Sequence, residues 1–184
     1  MHREWLFIAA IAASLAILHE LRRVFWLFSL LVLPGTFAHE TCHYLSGILL
    51  RGGPVSFNLM PRREGHGWVM GSVVFNRLRW YNCFFIGLAP LTLLPAAYGL
   101  ALWRLKGALV FGWPEALAVF LIANLIYASV PSWQDVRIAA RSPIGWLLLA
   151  GGIWFGWQHH QGSPAKGPAP SRPMHDTSVT QKPG

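Results

Sequence analysis

The chain has 184 residues and a formal net charge of +8; 54% of its residues are hydrophobic and only 12% are charged. Soluble domains carry about 25% charged residues, so this composition excludes an ordinary soluble domain and is typical of a protein integrated in a lipid bilayer. The basic residues lie in short loops between apolar segments, which argues against nucleic acid as a partner.

Five apolar segments follow one another along the chain and predict about five transmembrane helices. The first and the last are short for a span of about 20 residues, and residues 19–20 after the first are predicted to form a loop. Pro34 and Gly35 should kink the second segment, and Pro90 should interrupt the third. The segments cover residues 5–18, 24–50, 81–103, 114–130 and 144–157.

Between the second and third segments, two runs alternate apolar and polar residues, which is the period of a β-strand. Residues 55–60 and 68–75 are therefore predicted to form a β-hairpin around a glycine-bearing loop. The predicted fold class is an α-helical membrane protein with about five transmembrane helices and a small β-hairpin after the second. An isolated hairpin is marginal in water, so its apolar face should rest on the helices or dip into the membrane.

The chain is predicted to consist of one membrane domain followed by a tail, without a disulfide. Residues 1–158 should form one membrane domain, and residues 159–184 a disordered tail in which proline, glycine, serine and charged residues dominate. Cys42 and Cys83 lie in or beside apolar runs, which favours free buried thiols over a disulfide.

The second apolar segment contains the pattern His39-Glu40-Thr41-Cys42-His43. Residues four apart on a helix share a face, so the two histidines can offer imidazole nitrogens to one zinc ion, with Glu40 beside it to take a proton from water. A carboxylate within a membrane helix costs about 2.5–3.5 kcal/mol on insertion scales, which favours a functional role. The alternative is a pair of packed histidines with Glu40 facing a polar seam.

A catalytic zinc takes three protein ligands and keeps one position open. The chain has seven acidic residues, and most are excluded by their place in the tail, in a loop tip or at the far end of a span. Asp135 remains, because it follows the break at Pro131 on the same side as the motif. It could instead cap a short helix or pair with Arg137, and His66 in the hairpin loop is an alternative ligand.

Two further groups are candidates near the site. Asn124 lies in the fourth apolar segment, where its polar side chain could bond to a neighbouring helix and support the site. Val55, Phe57 and Leu59 alternate along the first strand, whose edge could hold an unwound substrate in extended form by strand addition. The alternative for the hairpin is a loop that only packs the helices together.

The loop arginines predict the topology. The N-terminus, the hairpin loop and the loop of Asp135 share one face and hold most of the loop lysine and arginine, so that face is expected to be cytoplasmic. The motif then lies in the cytoplasmic half of its helix.

These residues together resemble the site-2-protease-type intramembrane zinc metalloproteases, and most closely the short, bacterial-type branch that lacks an inserted peptide-binding domain. The resemblance covers roughly residues 24–141. Besides the histidine motif and the distant aspartate, it rests on a Gly-Gly-Pro stretch before the hairpin and on Gly87-Leu-Ala-Pro90.

The resemblance implies a zinc ion bound by His39, His43 and Asp135, with Glu40 as the catalytic acid and base. It also implies cleavage of membrane-anchored protein substrates within or near the bilayer, in a bacterial inner membrane. Two other functions remain open, namely a catalytically silent metal-binding membrane protein and a membrane carrier of metal or haem.

Overall fold

The computed structural model describes residues 2–64, 67–107 and 112–161. The protein is mostly helical, with 71% helix, which confirms the α-helical fold class. The chain divides into two units, Met1–Leu148 and Leu149–Gly184. At the start of the predicted tail, the last helix continues to Gln161, and residues 162–184 lie outside the described residues.

Helix α1 spans His2–Leu21. The prediction of a loop at residues 19–20 is wrong, because His19 and Glu20 belong to the last turn of α1. Neither glycine nor proline interrupts this helix, and Glu20 pairs with Arg23 at 3.4 Å beyond its end. Over Glu4–Leu21 the helix is long and apolar enough to cross a membrane.

The second apolar segment forms two helices, α2 over Phe25–Leu31 and α3 over Leu33–Leu49. The interruption expected near Pro34 is confirmed and falls at Val32, where ψ is −1°. Pro34 occupies the first turn of α3, where a missing backbone N–H leaves no hydrogen bond unmade. The break therefore starts a new helix with the metal motif in its interior.

The strands are shorter than the predicted hairpin. Strand β1 (Pro54–Asn58) pairs antiparallel with β4 (Ser72–Phe75), and β2 (Arg62–Glu64) pairs antiparallel with β3 (Gly67–Val69). The antiparallel pairing of the predicted hairpin is confirmed, but each side consists of two short strands whose bounds differ from the prediction. The Asn58 side chain accepts a hydrogen bond from the N–H of Met60 at 2.8 Å and ends β1 in a local turn.

The third apolar segment is broken near Pro90, as predicted. It consists of α4 over Cys83–Gly87, a 3-10 turn over Ala89–Thr92 and α5 over Leu93–Lys106. Cys42 and Cys83 are both free thiols; Cys83 is buried as predicted, whereas Cys42 is half-buried.

Helices α6 (Trp113–Ala128), α7 (Trp133–Ala140) and α8 (Pro143–Gln161) complete the described chain. The axes of α6 and α7 differ by 49°. Among the described helices, α1 is long and apolar enough to cross a membrane by itself, and α6 with α7 would add a second span if the bent pair crosses together. The number of five spans stays a prediction.

Helix α6 is the centre of the core. Phe7 of α1 and Ala97 of α5 pack against one part of it, and Leu18, Phe28 and Val32 pack around its Ala123. Near the start of α6, the Glu115 carboxylate, 4% exposed as a residue, accepts a hydrogen bond from the Arg104 guanidinium of α5. The Glu115 carboxylate is thus engaged by Arg104, in agreement with its exclusion as a metal ligand on the basis of the sequence.

Candidate metal centre

Helix α3 presents its two histidines on the face that the helical period predicts. The Nε2 atoms of His39 and His43 lie 3.2 Å apart, one turn from each other. His43 is buried and His39 is half-buried. Two aromatic nitrogens thus point at the same place inside the protein.

Each imidazole is oriented by a backbone carbonyl from another helix. Nδ1 of His39 donates to the carbonyl oxygen of Ala128 at 2.6 Å, and Nδ1 of His43 donates to that of Ile86 at 2.8 Å. A carbonyl oxygen only accepts, so Nδ1 of each ring carries the proton and the lone pair of Nε2 is free. Metal-binding histidines are commonly fixed in this way by an outer partner.

Asp135 comes to the same place from the first turn of α7. Its Oδ1 lies 3.1 Å from Nε2 of His43, and its Oδ2 lies 3.4 Å from Nε2 of His39. Its carboxylate also accepts from the N–H of Ser132, while its own N–H donates to the Ser132 hydroxyl. The capping role is therefore observed, and the same carboxylate also lies beside both imidazoles, where it could bind a metal ion.

The three side chains form a group that could hold a metal ion, with ligand atoms all within 4.8 Å of one another. A tetrahedral site with bonds of about 2.0–2.1 Å has edges of about 3.3–3.4 Å between ligand atoms. The contacts among Nε2 of His39, Nε2 of His43 and the Asp135 oxygens measure 3.1, 3.2 and 3.4 Å. The 3.1 and 3.4 Å contacts involve different Asp135 oxygens. With one ligand atom from each residue, the three atoms lie within 4.8 Å of one another, and two imidazole nitrogens with one carboxylate oxygen are a donor set that zinc takes.

Glu40 follows His39 on α3 and is 7% exposed. Among the described residues, its carboxylate has no hydrogen-bond or ion-pair partner, whereas Asp135 has several. Gly71, between β3 and β4, lies against it, since a Cβ at this glycine would be 2.8 Å from Oε1 of Glu40. The carboxylate is therefore largely buried, and no described group engages its oxygens.

The segment that carries Gly71 is attached to α2. The Trp68 ring stacks on Phe25 with centroids 4.0 Å apart, and the Ser29 hydroxyl lies 3.6 Å from the Met70 sulfur. Met70 also packs against the cluster around Leu18 and Ala123. Helix α2 thus holds the segment in place over Glu40.

The predicted hydrogen bond from Asn124 to a neighbouring helix is not observed among the described residues. It is 1% exposed, its Nδ2 donates to the carbonyl of Phe120 in its own helix, and its Oδ1 has no partner among the described residues. A Cβ at Gly35 would lie 2.9 Å from the Asn124 carbonyl. Asn124 therefore sits where α3 and α6 approach closely, and the helices leave its amide no partner on α3.

Of the three residues whose strand edge was predicted to hold a substrate, two lie in a strand. Val55 and Phe57 belong to β1, while Leu59 lies beyond its end. Phe57 packs on Phe37 and Tyr44 of α3, beside a groove of about 420 Å³ between β1 and α3. In the described part of the chain, β1 pairs with β4 alone, so its other edge is open.

Sequence reasoning missed the parts of the site that come from the backbone. The carbonyls of Ala128 and Ile86 orient the two imidazoles, and no residue type signals that role. Gly71 and Gly87 leave room for Glu40 and for the helix of Asp135, respectively. His66, the alternative ligand, lies outside the described residues.

Comparisons with protein-family models, with curated proteins and with solved structures found no match to this chain. The functional interpretation therefore rests on the geometry and chemistry of the site itself.

Proposed function

We propose that this protein is an intramembrane zinc metalloprotease of the site-2-protease type that hydrolyses peptide bonds of membrane-anchored protein substrates. The observation that carries the proposal is the convergence of His39, His43 and Asp135, whose ligand atoms lie within 4.8 Å of one another. Glu40 lies beside them and has no hydrogen-bond partner among the described residues. Three ligands leave one tetrahedral position open, which is typical of catalytic rather than structural zinc.

Two imidazoles and one carboxylate suit zinc among the common divalent metals. When bound, zinc supplies a Lewis acid that lowers the pKa of water toward about 7 and polarises the scissile carbonyl. His39, His43 and Asp135 hold it, and the Ile86 and Ala128 carbonyls keep both imidazoles in the tautomer that binds metal.

Glu40 is the proton carrier of the proposed reaction. It accepts a proton from the attacking water and delivers it to the leaving amine, which needs a carboxylate that is not already engaged. Burial at 7% exposure and the lack of a partner among the described residues meet this requirement.

We propose that the protein lies in the membrane and crosses it about five times. By length and composition alone, one described helix, or two with the bent pair, could cross. Only 11% of the apolar window of α1 is buried inside the protein. Large apolar side chains such as Trp26, Leu49 and Trp113 are 77%, 82% and 78% exposed. Soluble monomers rarely expose extensive apolar surface, whereas hydrocarbon would cover it without cost.

The second candidate function is a catalytically silent metal-binding membrane protein, since the ligand set alone does not require hydrolysis. Two nitrogens 3.2 Å apart on one helix face cannot take the opposite faces of a porphyrin, so His39 and His43 cannot both be axial ligands of one haem.

The test is metal analysis of the purified protein together with a cleavage screen against co-expressed single-span membrane proteins. We expect about one zinc ion per chain. Glu40→Gln should keep the zinc and lower cleavage by about 10²–10⁴-fold, because an amide cannot accept the proton. Normal cleavage by this variant would refute the mechanism, and zinc binding without cleavage by the wild type would favour the silent metal-binding protein.

A further inference from the structure

We propose that the dipeptide Ile86–Gly87 is a positioning element. It fixes two of the metal ligands, His43 and Asp135, at the correct distance from each other. The inference rests on the metal site of the proposed function but not on protease activity. Neither residue has a side chain that could bind metal, and both lie at the end of the five-residue helix α4.

The first contact is to the imidazole of His43. The carbonyl of Ile86 accepts from Nδ1 at 2.8 Å, and Ile86 is 0% exposed, so the carbonyl sits in a closed environment. This bond decides both the tautomer of the ring and the direction of its Nε2.

The start of α4 is itself tied to α3. The fully buried Asn82 donates from Nδ2 to the Leu50 carbonyl at 3.3 Å, and its Oδ1 accepts from the N–H of Arg79 at 2.7 Å. The carbonyl of Ile86 is therefore held relative to the helix that carries His43. A shift of α4 would be resisted by these bonds.

The second contact is to the backbone of α7. A Cβ at Gly87 would lie 2.5 Å from the carbonyl oxygen of Asp135 and 2.9 Å from the N–H nitrogen of Ala139. Both atoms belong to the backbone and cannot rotate away, so any side chain at this position must displace the helix. Gly87 thus lets α7 approach α4 at the residue that supplies the third ligand.

The displacement is large for a metal site. Relieving the contact from 2.5 Å to an ordinary 3.4 Å moves the Asp135 backbone by about 0.9 Å. Ligand distances in metal sites are kept within about 0.2 Å. Since Asn82 resists movement of α4, the shift falls on α7 and separates the Asp135 carboxylate from the two imidazoles.

The experiment measures zinc affinity of the full-length, detergent-purified protein by competition with chelators of graded strength. Gly87→Ala should weaken zinc binding by about 10-fold to 100-fold, the range for lost outer-shell support. The matched control is Gly99→Ala in α5, because a Cβ there meets nothing within 4 Å. It should leave the affinity unchanged.

A double-mutant cycle separates positioning from packing. In an Asp135→Ala background the effect of Gly87→Ala should disappear, because the ligand that it displaces is gone. In a His39→Ala background the effect should persist. An equal loss of affinity in both backgrounds, or no loss in either, would overturn the proposal.

If Gly87→Ala does not fold, Ala139→Val serves as the second variant, since it pushes α7 away from the same surface of α4. The same dependence on Asp135 is expected, and its absence would count against the proposal. Failure of the protease function would give a different result. The zinc affinities would still show the predicted dependence on Asp135, but the wild-type protein would cleave no substrate.

Discussion

Asp135 has two roles that can be separated by mutation. Its carboxylate contacts both imidazoles at 3.1 and 3.4 Å, and it also closes a capping box with Ser132 at the start of α7. Asp135→Asn keeps an oxygen that can accept from the Ser132 N–H but removes the negative charge. Ser132→Ala removes half of the capping box and leaves the carboxylate in place.

The magnitudes follow from these contacts. Ser132→Ala should lower stability by about 0.5–2 kcal/mol, the usual cost of losing an N-cap. The zinc affinity of Ser132→Ala should fall less than that of Asp135→Asn. The carboxylate is still present, and only the first turn of α7 is loosened. Asp135→Asn should weaken zinc binding by more than about 100-fold, since losing a direct ligand exceeds the loss of an outer partner.

The assay combines chelator competition for zinc with thermal unfolding of the metal-free protein. Glu20→Gln is the control, because among the described residues this exposed carboxylate pairs with Arg23 alone, far from the metal ligands in the chain. The reasoning is refuted if Asp135→Asn binds zinc as tightly as the wild type, or if Ser132→Ala loses as much affinity. The first result would also reopen His66 as the third ligand.

Three other predictions concern the hairpin and the topology. Gly71→Ala should lower cleavage without loss of zinc, because its Cβ would lie 2.7 Å from Cγ of Glu40; unchanged cleavage would show that Glu40 does not depend on this cover. Prolines introduced one at a time along β1 should block cleavage in an alternating pattern at constant zinc content, and full activity in every variant would dismiss its edge as a substrate clamp. A cysteine at Arg63 should be labelled only from the cytoplasmic side of intact cells, and labelling from the opposite side would overturn the predicted topology.

Periodicity and proline account for what the sequence by itself determined. A repeat of four residues on a helix places His39 and His43 on one face, and the structure has their Nε2 atoms 3.2 Å apart. The breaks near Pro34 and Pro90 were predictable, because proline lacks the N–H that a continuous helix needs. Asp135 could be selected because so few acidic residues remained, and the structure brings it to the histidines.

The sequence pattern predicted the end of an element wrongly in two situations. In one, the segment contained no glycine or proline to end the helix; in the other, a local side-chain hydrogen bond ended the strand. His19 and Glu20 continue α1, although they follow the end of the first apolar segment and were predicted to form a loop. Strand β1 ends at Asn58 because its side chain bonds to Met60, which alternation of apolar and polar residues does not reveal. The end of an element depends on such single contacts.

Only the tertiary structure decided how the site is supported. The carbonyls that orient His39 and His43 come from residues 89 and 43 positions away in the chain. A backbone carbonyl is present at every position, so its role carries no mark in the sequence. Gly71 and Gly87 matter for the space that they leave beside Glu40 and α7, and that space exists only once the helices have packed.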